Sequence, residues 1–407
     1  TPTGTTMSPR QLIAIVFVAS LIGFGFAAAS TYDFAAHLDR QVHSLHCSFI
    51  PGMASSSASG SEGCQLTLMS PYSSLFRQTF WGGIPVSLLG MAVFMAVAAL
   101  AGLMLLLRAE LDLLALFSLL VLGTIPVAAS LVMGSIAAFK LHAACKQCIG
   151  IYVSSALVGA FAFAAYRLGS AAVGGRRAAP THRQWLLAVP LCALLVLVVM
   201  SSYVLAMPRY DHFTKGCGSL PHLEDRHGVL VHLPAEGPNA RKALEIFDPL
   251  CPACKAFEER LQASRLHKQL QRDLLLFPLD NTCNWMIDSA MHPGSCAVSL
   301  AVLCAGERAK EVVDWAFAQQ QHIQQQALRD KHAAAQLVEA RFPELRTCMS
   351  SSVTKARLSQ SLRWAVRNQV PVLTPQFYVD GQRLCDEDTD LGLEYTLSRM
   401  LKKAGGS

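Results

Sequence analysis

Residues 243–254 read Ala-Leu-Glu-Ile-Phe-Asp-Pro-Leu-Cys-Pro-Ala-Cys, and they set the architecture of the second half of the chain. The apolar residues 243–247 predict a buried strand, and a helical pattern runs from the cysteines to about residue 271. Cys251 then lies at the helix N-terminus, where the dipole and free N–H groups stabilise a thiolate. Pro252 takes the first helical position, where its missing N–H does no harm.

A strand, a turn with Cys-x-x-Cys and a helix are typical of thioredoxin-type redox proteins. Cys254 lies one turn into the helix, close enough to form a disulfide with Cys251. We expect a second strand at residues 274–279, a largely helical insertion at 296–340, and a strand at 377–379 that ends in the hairpin turn Asp380-Gly381. Pro375, after Thr374, fits the cis-proline that faces the dithiol in such folds; the alternative is a trans-proline at a strand start.

The first half of the chain has a different composition. Over all 407 residues, 52% are hydrophobic and only 15% are charged, whereas soluble domains carry ~25% charged residues. Residues 208–407 look like an ordinary soluble domain, so the deficit lies in residues 1–207. Since ~20 apolar residues span a bilayer, five runs predict transmembrane helices: 11–29, 84–107, 112–138, 147–166 and 185–206.

Basic residues predict the orientation of these helices. Arg10, Arg108 and the Arg-rich loop 167–183 fall on one side of the membrane, which is the cytoplasmic side by the positive-inside rule. The loop 30–83, the turn that holds Cys145 and Cys148, and everything after residue 207 then lie outside the cytoplasm. The first run could instead be a cleavable signal peptide. A retained helix is favoured because the run is long for a signal sequence.

The net charge of +6 does not indicate nucleic-acid binding, because the arginines cluster in one loop and no aromatic-studded basic face accompanies them. No Walker-type loop, His-Glu-x-x-His or Gly-x-Gly-x-x-Gly motif is present. The two Cys-x-x-Cys pairs are much further apart in sequence than the pairs of a structural zinc site. We therefore expect neither a metal nor a nucleic acid.

Cysteines are abundant and their number, 13, is odd, which indicates an oxidising compartment, active redox chemistry, or both. A second Cys-x-x-Cys, Cys145-Lys-Gln-Cys148, opens the fourth apolar run. Structural disulfides are expected in the helical insertion, with Cys283–Cys296 favoured among three connectivities of Cys283, Cys296, Cys304 and Cys348. Cys217 and Cys385 are a further candidate pair, and Cys192 is expected to be inert.

The membrane half resembles bacterial vitamin K epoxide reductase homologues. The resemblance rests on Cys47, Cys64, Ser70-Pro-Tyr-Ser73, Gly83-Ile-Pro-Val-Ser-Leu-Leu-Gly90 and Cys145-Lys-Gln-Cys148. The soluble half is similar to periplasmic thioredoxin-like disulfide oxidases, and fusion of the two is a bacterial arrangement. The resemblance implies a four-helix membrane bundle (residues 1–184), a fifth linking transmembrane helix with a linker (185–220), and an α/β thioredoxin-like domain with a helical insertion (221–407).

The resemblance also implies a relay of thiol–disulfide exchange, with the cis-proline Pro375 as part of the catalytic site. Cys251 would exchange with substrate proteins and Cys254 would resolve the mixed disulfide. Electrons would then pass to Cys47/Cys64, with Cys47 meeting Cys251 and Cys64 meeting Cys145. Cys148 would face a membrane quinone, ubiquinone or menaquinone.

Three residues bear on the quinone. Tyr152 matches a family tyrosine that hydrogen-bonds the quinone oxygen, with an interfacial tyrosine as the alternative. Ser87 could lie near the quinone or simply pack helices together. Val86 stands where some animal members carry a polar quinone-binding residue, which argues against vitamin K epoxide as the substrate.

Charged neighbours of the cysteines have two interpretations. Lys146 and His142 beside Cys145, and His46 beside Cys47, could each lower the pKa of the neighbouring thiol or could simply be solvated.

The leading hypothesis is a quinone-dependent enzyme that forms disulfides in extracytoplasmic proteins. It would lie in a bacterial inner membrane as a multi-pass protein, with its redox sites on the periplasmic side. One alternative runs the same relay in reverse, as a reductase or isomerase. The other is a non-catalytic, membrane-anchored thioredoxin-like binding protein.

Overall fold

The structure is a computed structural model that describes residues 7–38, 67–68, 70–141, 145–174, 182–206, 216–234, 237, 240–385 and 391–403. The chain divides into two compact units. The first comprises Thr1–Phe76 and Gly83–Pro208, and the second comprises Arg77–Gly82 and Arg209–Ser407. Each unit has its own hydrophobic core.

The first unit is a helical bundle. Its elements in chain order are α1 (Pro9–Leu38), the short strands β1 (Ser74–Leu75) and β2 (Ile84–Pro85), α2 (Val86–Leu106), α3 (Leu113–Ile136) with a π-helical turn (Ala137–Leu141), α4 (Lys146–Gly174) and α5 (His182–Ala206). In the described part of the chain, four helices, α1 to α4, are long and apolar enough to cross a membrane. This finding is consistent with the predicted multi-pass membrane unit.

The bundle core is formed where α1 packs against α2 and α4, and α3 packs against α4. Its largest fully buried side chains include Phe34 and Phe94. Gly23 lets α1 and α2 approach closely, because a Cβ there would lie 2.6 Å from the Phe94 ring. α5 is a helix as predicted, although the apolar stretch described in it, Val196–Leu205, is short.

Helix α1 is longer than the apolar run 11–29 predicted. It extends to Leu38, because the residues after Ala29 include neither proline nor glycine and the helix has no reason to stop. The extension brings Asp33 into the helix, where its side chain is only 5% exposed.

The opposite end of the bundle holds charged groups. Arg10 lies 3.5 Å from Glu110, in the turn between α2 and α3. Asp112 caps α3 by accepting hydrogen bonds from Leu114 N at 2.9 Å and Ala115 N at 3.4 Å. Arg10 and the α2–α3 turn that carries Arg108 are therefore at one end of the bundle, as the orientation argument requires.

The second unit is built on a five-stranded sheet. The strands are β3 (Val231–His232), β4 (Arg241–Phe247), β5 (Leu270–Leu276), β6 (Gln376–Val379) and β7 (Gln382–Arg383), in the order β3-β5-β4-β6-β7. β4 and β5 are parallel, and the other pairs are antiparallel. A parallel β–α–β followed by an antiparallel hairpin is the thioredoxin-like topology.

Helices complete this domain. They are α6 (Pro252–Ala263), α7 (Ser295–Ala305), α8 (Ala309–Arg329), α9 (Ala333–Arg341), α10 (Arg346–Ser350), α11 (Ser352–Arg367) and α12 (Leu393–Lys403), with 3-10 turns at Leu266–Gln269, Gly306–Arg308 and Pro343–Leu345. The helices α7 to α11 lie in sequence between β5 and β6, so the helical insertion is confirmed.

Two predicted boundaries in this domain were wrong. The helix after the dithiol ends at Ala263 rather than near residue 271, and β5 covers 270–276 rather than 274–279. The chain turns at Arg265, whose φ is 61°, and β5 then pairs with β4 along its whole length, from Arg241↔Leu270 to Phe247↔Leu276. Sheet pairing overrode the helical pattern of these residues.

Three disulfides brace the domain. Cys283–Cys296 and Cys217–Cys385, the two favoured pairs, are confirmed, and Cys304 pairs with Cys348. The peptide bond between Thr374 and Pro375 is cis, as predicted, and the hairpin turn at Asp380-Gly381 is confirmed by positive φ at both residues.

Candidate active site

The two Cys-x-x-Cys pairs share one local design. In each, the carbonyl of the first cysteine accepts the first hydrogen bond of the helix: from Ile149 N to Cys145 O at 3.0 Å, and from Lys255 N to Cys251 O at 3.2 Å. The first cysteine therefore occupies the N-cap position and the second lies at the third helical position. Cys148 N donates to Cys145 Sγ at 3.3 Å, the bond that an N-cap side chain normally accepts.

All four of these cysteines are present as thiols, whereas the cysteines of the three disulfides are oxidised. Cys145, Cys251 and Cys254 are buried, and Cys148 is half-buried. Each pair thus combines an N-cap sulfur that the helix N-terminus stabilises as a thiolate with a second sulfur in position to close the disulfide.

The Cys251 sulfur lies in an environment that favours its thiolate. A hydrogen bond from the Cys254 thiol lowers the pKa of Cys251 most, burial opposes it, and the Thr374 side chain, the Cys254 N–H and the charge of His292 lower it further, to about 6. Burial raises the pKa of Cys254 far above its usual range. At neutral pH Cys251 is therefore the nucleophile and Cys254 holds the proton.

The sign of the pH effect follows from the lowered pKa. The thiolate stabilises the reduced, folded domain fully above the ordinary thiol pKa, and this stabilisation is lost as the pH falls through about 6.

The cis-proline loop faces the nucleophile. Cys251 Sγ lies 3.7 Å from Thr374 O. The hydroxyl of Thr374 is buried and has no hydrogen-bond partner by strict geometry within the described residues, yet it is close enough to Cys251 to favour the thiolate. We therefore expect the Thr374 hydroxyl to act as a hydrogen-bond donor to the Cys251 thiolate.

The variant Thr374→Val is expected to raise the pKa of Cys251, because it removes the hydroxyl and keeps the shape of the side chain. The matched control is Thr396→Val, since the Thr396 hydroxyl is also buried and unpartnered within the described chain. The measurement is the rate of Cys251 alkylation against pH in the reduced full chain. If the pH midpoint of alkylation in Thr374→Val equals that of the wild type, the Thr374 hydroxyl does not stabilise the Cys251 thiolate.

Asp248 is the hub of the loop that carries the dithiol. Its fully buried carboxylate accepts hydrogen bonds from Leu250 N at 2.7 Å, Leu279 N at 2.6 Å and Ser295 Oγ at 2.6 Å, and it lies 2.9 Å from His292 Nδ1. Burial disfavours the imidazolium, but the hydrogen bond and charge of Asp248 outweigh it and raise the pKa of His292. Asp248 thereby fixes the turn and favours the protonated form of the His292 ring, whose charge lowers the pKa of Cys251.

Two glutamines of helix α8 hold the same turn from the other side. Gln320 Nε2 donates to Cys251 O at 3.0 Å, and Gln324 Nε2 donates to Leu250 O at 2.7 Å. Sequence reasoning missed both. The signal was available, because Gln320 occupies an apolar position of an amphipathic helix, at helical spacing from the buried Phe317 and Ile323.

A buried ion cluster lies within the sheet behind α6. Arg272 on β5 binds Glu258 of α6 through Nη1 to Oε1 at 3.1 Å, and also binds Glu245 of β4. Burial raises the pKa of Glu245, and Arg272 offsets this only in part. Burial also raises the pKa of Glu258, but the charge and hydrogen bonds of Arg272 lower it by more. The pKa of Glu258 is therefore lowered. The cluster ties the dithiol helix to both central strands.

A cavity of about 600 Å³ lies inside the helical bundle beside the other dithiol. Cys145 and Cys148 line it together with Ser87 and Tyr152, so these four residues from the sequence prediction do share one cavity. Apolar side chains form most of the remaining wall, among them Val93, Phe94, Ile125, Met133 and Leu197. Val86 also lines it.

Hydroxyl groups beside the cavity form hydrogen bonds within the helical bundle. Thr31 Oγ1 lies 2.8 Å from Ala27 O and 2.9 Å from Ser87 Oγ. Since a hydroxyl has one proton, Ser87 donates to Thr31 when Thr31 donates to the carbonyl. The alternative role of Ser87, helix packing, is therefore visible in the structure.

Tyr152 follows Cys148 by one helical turn, and its ring packs against Gly134 of α3, where a Cβ would lie 3.6 Å from Tyr152 Cε2. Cys47, Cys64, His46 and His142 lie outside the described residues. Sequence reasoning also missed Asp33, which lines the cavity and accepts a hydrogen bond from Gln147 Nε2 at 3.0 Å. A carboxyl within an apolar helix was the signal.

Most of the membrane unit is similar to a known protein family. Residues 14–163 match the model of the vitamin K epoxide reductase family. Over these residues the chain is similar to vitamin K epoxide reductases. The matched residues include most of α1, all of α2 and α3, most of the apolar part of α4, and the Cys145/Cys148 pair.

The chain is also similar to a solved structure, the oxidoreductase DsbA from Xylella fastidiosa. The match covers 46% of this chain and 100% of that one, with 19% sequence identity and a TM-score of 0.30. No curated protein matches the chain. The family match and the thioredoxin-like topology with its reduced dithiol together identify a thiol–disulfide redox protein.

Proposed function

We propose that the chain oxidises pairs of thiols in extracytoplasmic proteins to disulfides and delivers the electrons to a membrane quinone. The observation that carries the proposal is the apolar cavity inside the bundle, whose wall includes both Cys145 and Cys148. A dithiol that opens into an apolar cavity is suited to a lipid-soluble acceptor, whereas the Cys251/Cys254 dithiol belongs to a soluble-type domain suited to protein substrates.

Each step of the proposed relay is a thiol–disulfide exchange. The disulfide form of Cys251/Cys254 accepts the attack of a substrate thiolate at Cys251, and a second substrate thiolate releases Cys251 as the disulfide of the substrate forms. The reduced pair then passes its two electrons to Cys47/Cys64, with Cys47 as the partner of Cys251. Cys64 passes them to Cys145, which opens the Cys145–Cys148 disulfide, and closure of that disulfide again would pass the two electrons to a quinone in the cavity.

The residues around the cavity fit a quinone. Its size and apolar wall suit a flat ring with an isoprenoid tail, and Tyr152 in that wall is the residue we assign to a carbonyl oxygen of the ring. A bound ubiquinone or menaquinone would supply a two-electron acceptor. Cys148, half-buried and one turn from Tyr152, is the cysteine we assign to face it.

The environment of Cys251 favours the oxidising direction. A pKa of about 6 stabilises the reduced form of the pair at neutral pH, and stabilisation of the dithiol makes the corresponding disulfide a stronger oxidant. The disulfide of such a pair is readily transferred to a substrate dithiol. The reverse direction, as a reductase or isomerase, would work against that tuning.

The proposed location is a bacterial inner membrane, with both dithiols on the periplasmic side. Arg10 and the α2–α3 turn lie at the end of the bundle opposite to Cys145, which accords with a cytoplasmic position for the basic residues. Substrate proteins with unpaired cysteines would then meet the thioredoxin-like domain in the compartment where disulfides persist.

The test is quinone reduction by the purified full chain in detergent, supplied with a reduced, unfolded dithiol protein. We expect quinol to appear in step with disulfides in the substrate, with either a ubiquinone or a menaquinone analogue. In cells, Cys251/Cys254 is expected to be mostly oxidised. A reduced pair in cells, with no quinol formation in vitro, would instead assign the reverse flow.

A further inference from the structure

Asp33 and Gln147 form a buried polar pair that connects helix α1 to the membrane dithiol. Gln147 is one of the two residues between Cys145 and Cys148, and its Nε2 donates to Asp33 Oδ2 at 3.0 Å. The side chains are 5% and 7% exposed, and both residues line the cavity. Burying an ionisable side chain inside a membrane bundle costs free energy, so its presence indicates a functional role.

Oxidation of the membrane dithiol requires such a role, because it releases protons. Closing one disulfide from two thiols releases two electrons and two protons, and a quinone that becomes a quinol takes up two of each. The wall of the cavity is mostly apolar, so side chains must handle the protons. Among the described residues of that wall, Asp33, Cys145, Cys148 and Tyr152 are the titratable groups, and Asp33 is their carboxyl.

The position of Asp33 suits proton transfer at the dithiol. Its carboxylate interacts electrostatically with the Cys145 sulfur, and Gln147 fixes one carboxylate oxygen while the group stays in the cavity wall. Gln147 itself cannot exchange protons at any useful rate, because an amide is neither an acid nor a base near neutral pH. Its part is to position the carboxylate.

We propose that Asp33 is the proton carrier of the membrane dithiol. It accepts, one after the other, the two protons released as Cys145 and Cys148 close their disulfide, and it returns each of them to an oxygen of the reduced acceptor in the cavity. Asp33 ends each cycle in the state in which it began, so it relays the protons and is not consumed. The proposal rests on the quinone-linked function described above.

The experiment compares three variants of the full chain: Asp33→Asn, Asp33→Glu, and Ser20→Ala as the matched control. Ser20 is a fully buried residue of the same helix α1, and it lies outside the described wall of the cavity. After mixing the reduced protein with a quinone analogue, the Cys145–Cys148 disulfide is trapped by thiol labelling. We expect Asp33→Asn to slow its formation by about 100-fold, in the range of general acid–base catalysis.

Asp33→Glu is expected to restore most of the rate, and Ser20→Ala to stay within about two-fold of wild type, since neither removes a proton-carrying group. A wild-type rate in Asp33→Asn would overturn the proposal. So would an Asp33→Glu variant as slow as Asp33→Asn, because the side chain would then act through its shape. In either case quinol formation by the wild type would leave the proposed function standing.

A second readout does not depend on turnover. An infrared difference spectrum between the oxidised and reduced protein, recorded without quinone, is expected to contain a carboxyl C=O band that shifts in heavy water and disappears in Asp33→Asn. A spectrum without such a band would contradict a change of protonation at Asp33. If the wild type reduces no quinone analogue, the proposed function fails, and this spectrum still decides whether Asp33 takes up a proton.

Discussion

Quinol formation is expected to fall to the uncatalysed rate when Cys148 is replaced by alanine. The variant keeps Cys145 at the N-cap of α4 but removes the sulfur that must close the disulfide beside the cavity. Without that closure, electrons that reach Cys145 have no path onward. Cys251/Cys254 should therefore accumulate in the reduced form as substrate thiols are added, and the redox state of this pair is measured by trapping with an alkylating reagent.

The matched control is Cys192→Ala, the same change at a cysteine of the first unit that the sequence predicts to be inert. It should turn over like the wild type. The block also has to be specific, so Cys148→Ala should still complete one round of exchange between Cys251/Cys254 and a substrate. Sustained quinol formation by Cys148→Ala would mean that the electrons leave by another route, and the relay would have to be redrawn.

The largest loss of stability in the second unit is expected from Asp248→Ala. The change leaves two buried backbone N–H groups, the Ser295 hydroxyl and the largely buried His292 ring without their acceptor. Removing one partner of a buried charged pair costs ~3–5 kcal/mol. The expected result is a decrease of that size in the free energy of opening, measured by native-state hydrogen exchange of the peptide that covers strand β4 in the full chain.

A surface pair of the same chemistry provides the control. Asp273 lies 2.6 Å from His232, whose side chain is 71% exposed. Asp273→Ala should therefore change stability by no more than ~1 kcal/mol. If Asp248→Ala were as mild as Asp273→Ala, water would be replacing the lost acceptor, and Asp248 would not hold the dithiol loop as the contacts imply.

Local patterns predicted the dithiol turns, because their chemistry is local. Cys251 at the N-cap, Pro252 after it and Pro375 in a cis bond all follow from residue types at fixed spacing. The end of α6 was not predictable in this way, since the helical pattern continues to residue 271, whereas the chain forms a 3-10 turn at 266–269 and a strand from Leu270 through pairing with β4. Tertiary pairing decides between two structures of similar local preference.

The polar contacts around the dithiols escaped prediction for a related reason. Gln320 and Cys251 are far apart in sequence, and only the fold shows that an amide of α8 reaches the carbonyl of the nucleophile. Asp33 was missed because the apolar run was judged to end before it, although the helix continues. In both cases the residue breaks an apolar pattern, and such a break is the feature that deserved a functional interpretation.

Under the proposed function, the three disulfides of the thioredoxin-like domain make the enzyme a substrate of its own reaction. Cys217–Cys385 joins residues 168 positions apart, and two more bonds brace the helical insertion, so each new chain arrives with six thiols to be oxidised. Under the proposed function, mature copies supply those bonds to the next ones. Production of the enzyme is then self-amplifying: a cell that has lost every mature copy would restart slowly, and one that retains a few would recover at an accelerating rate.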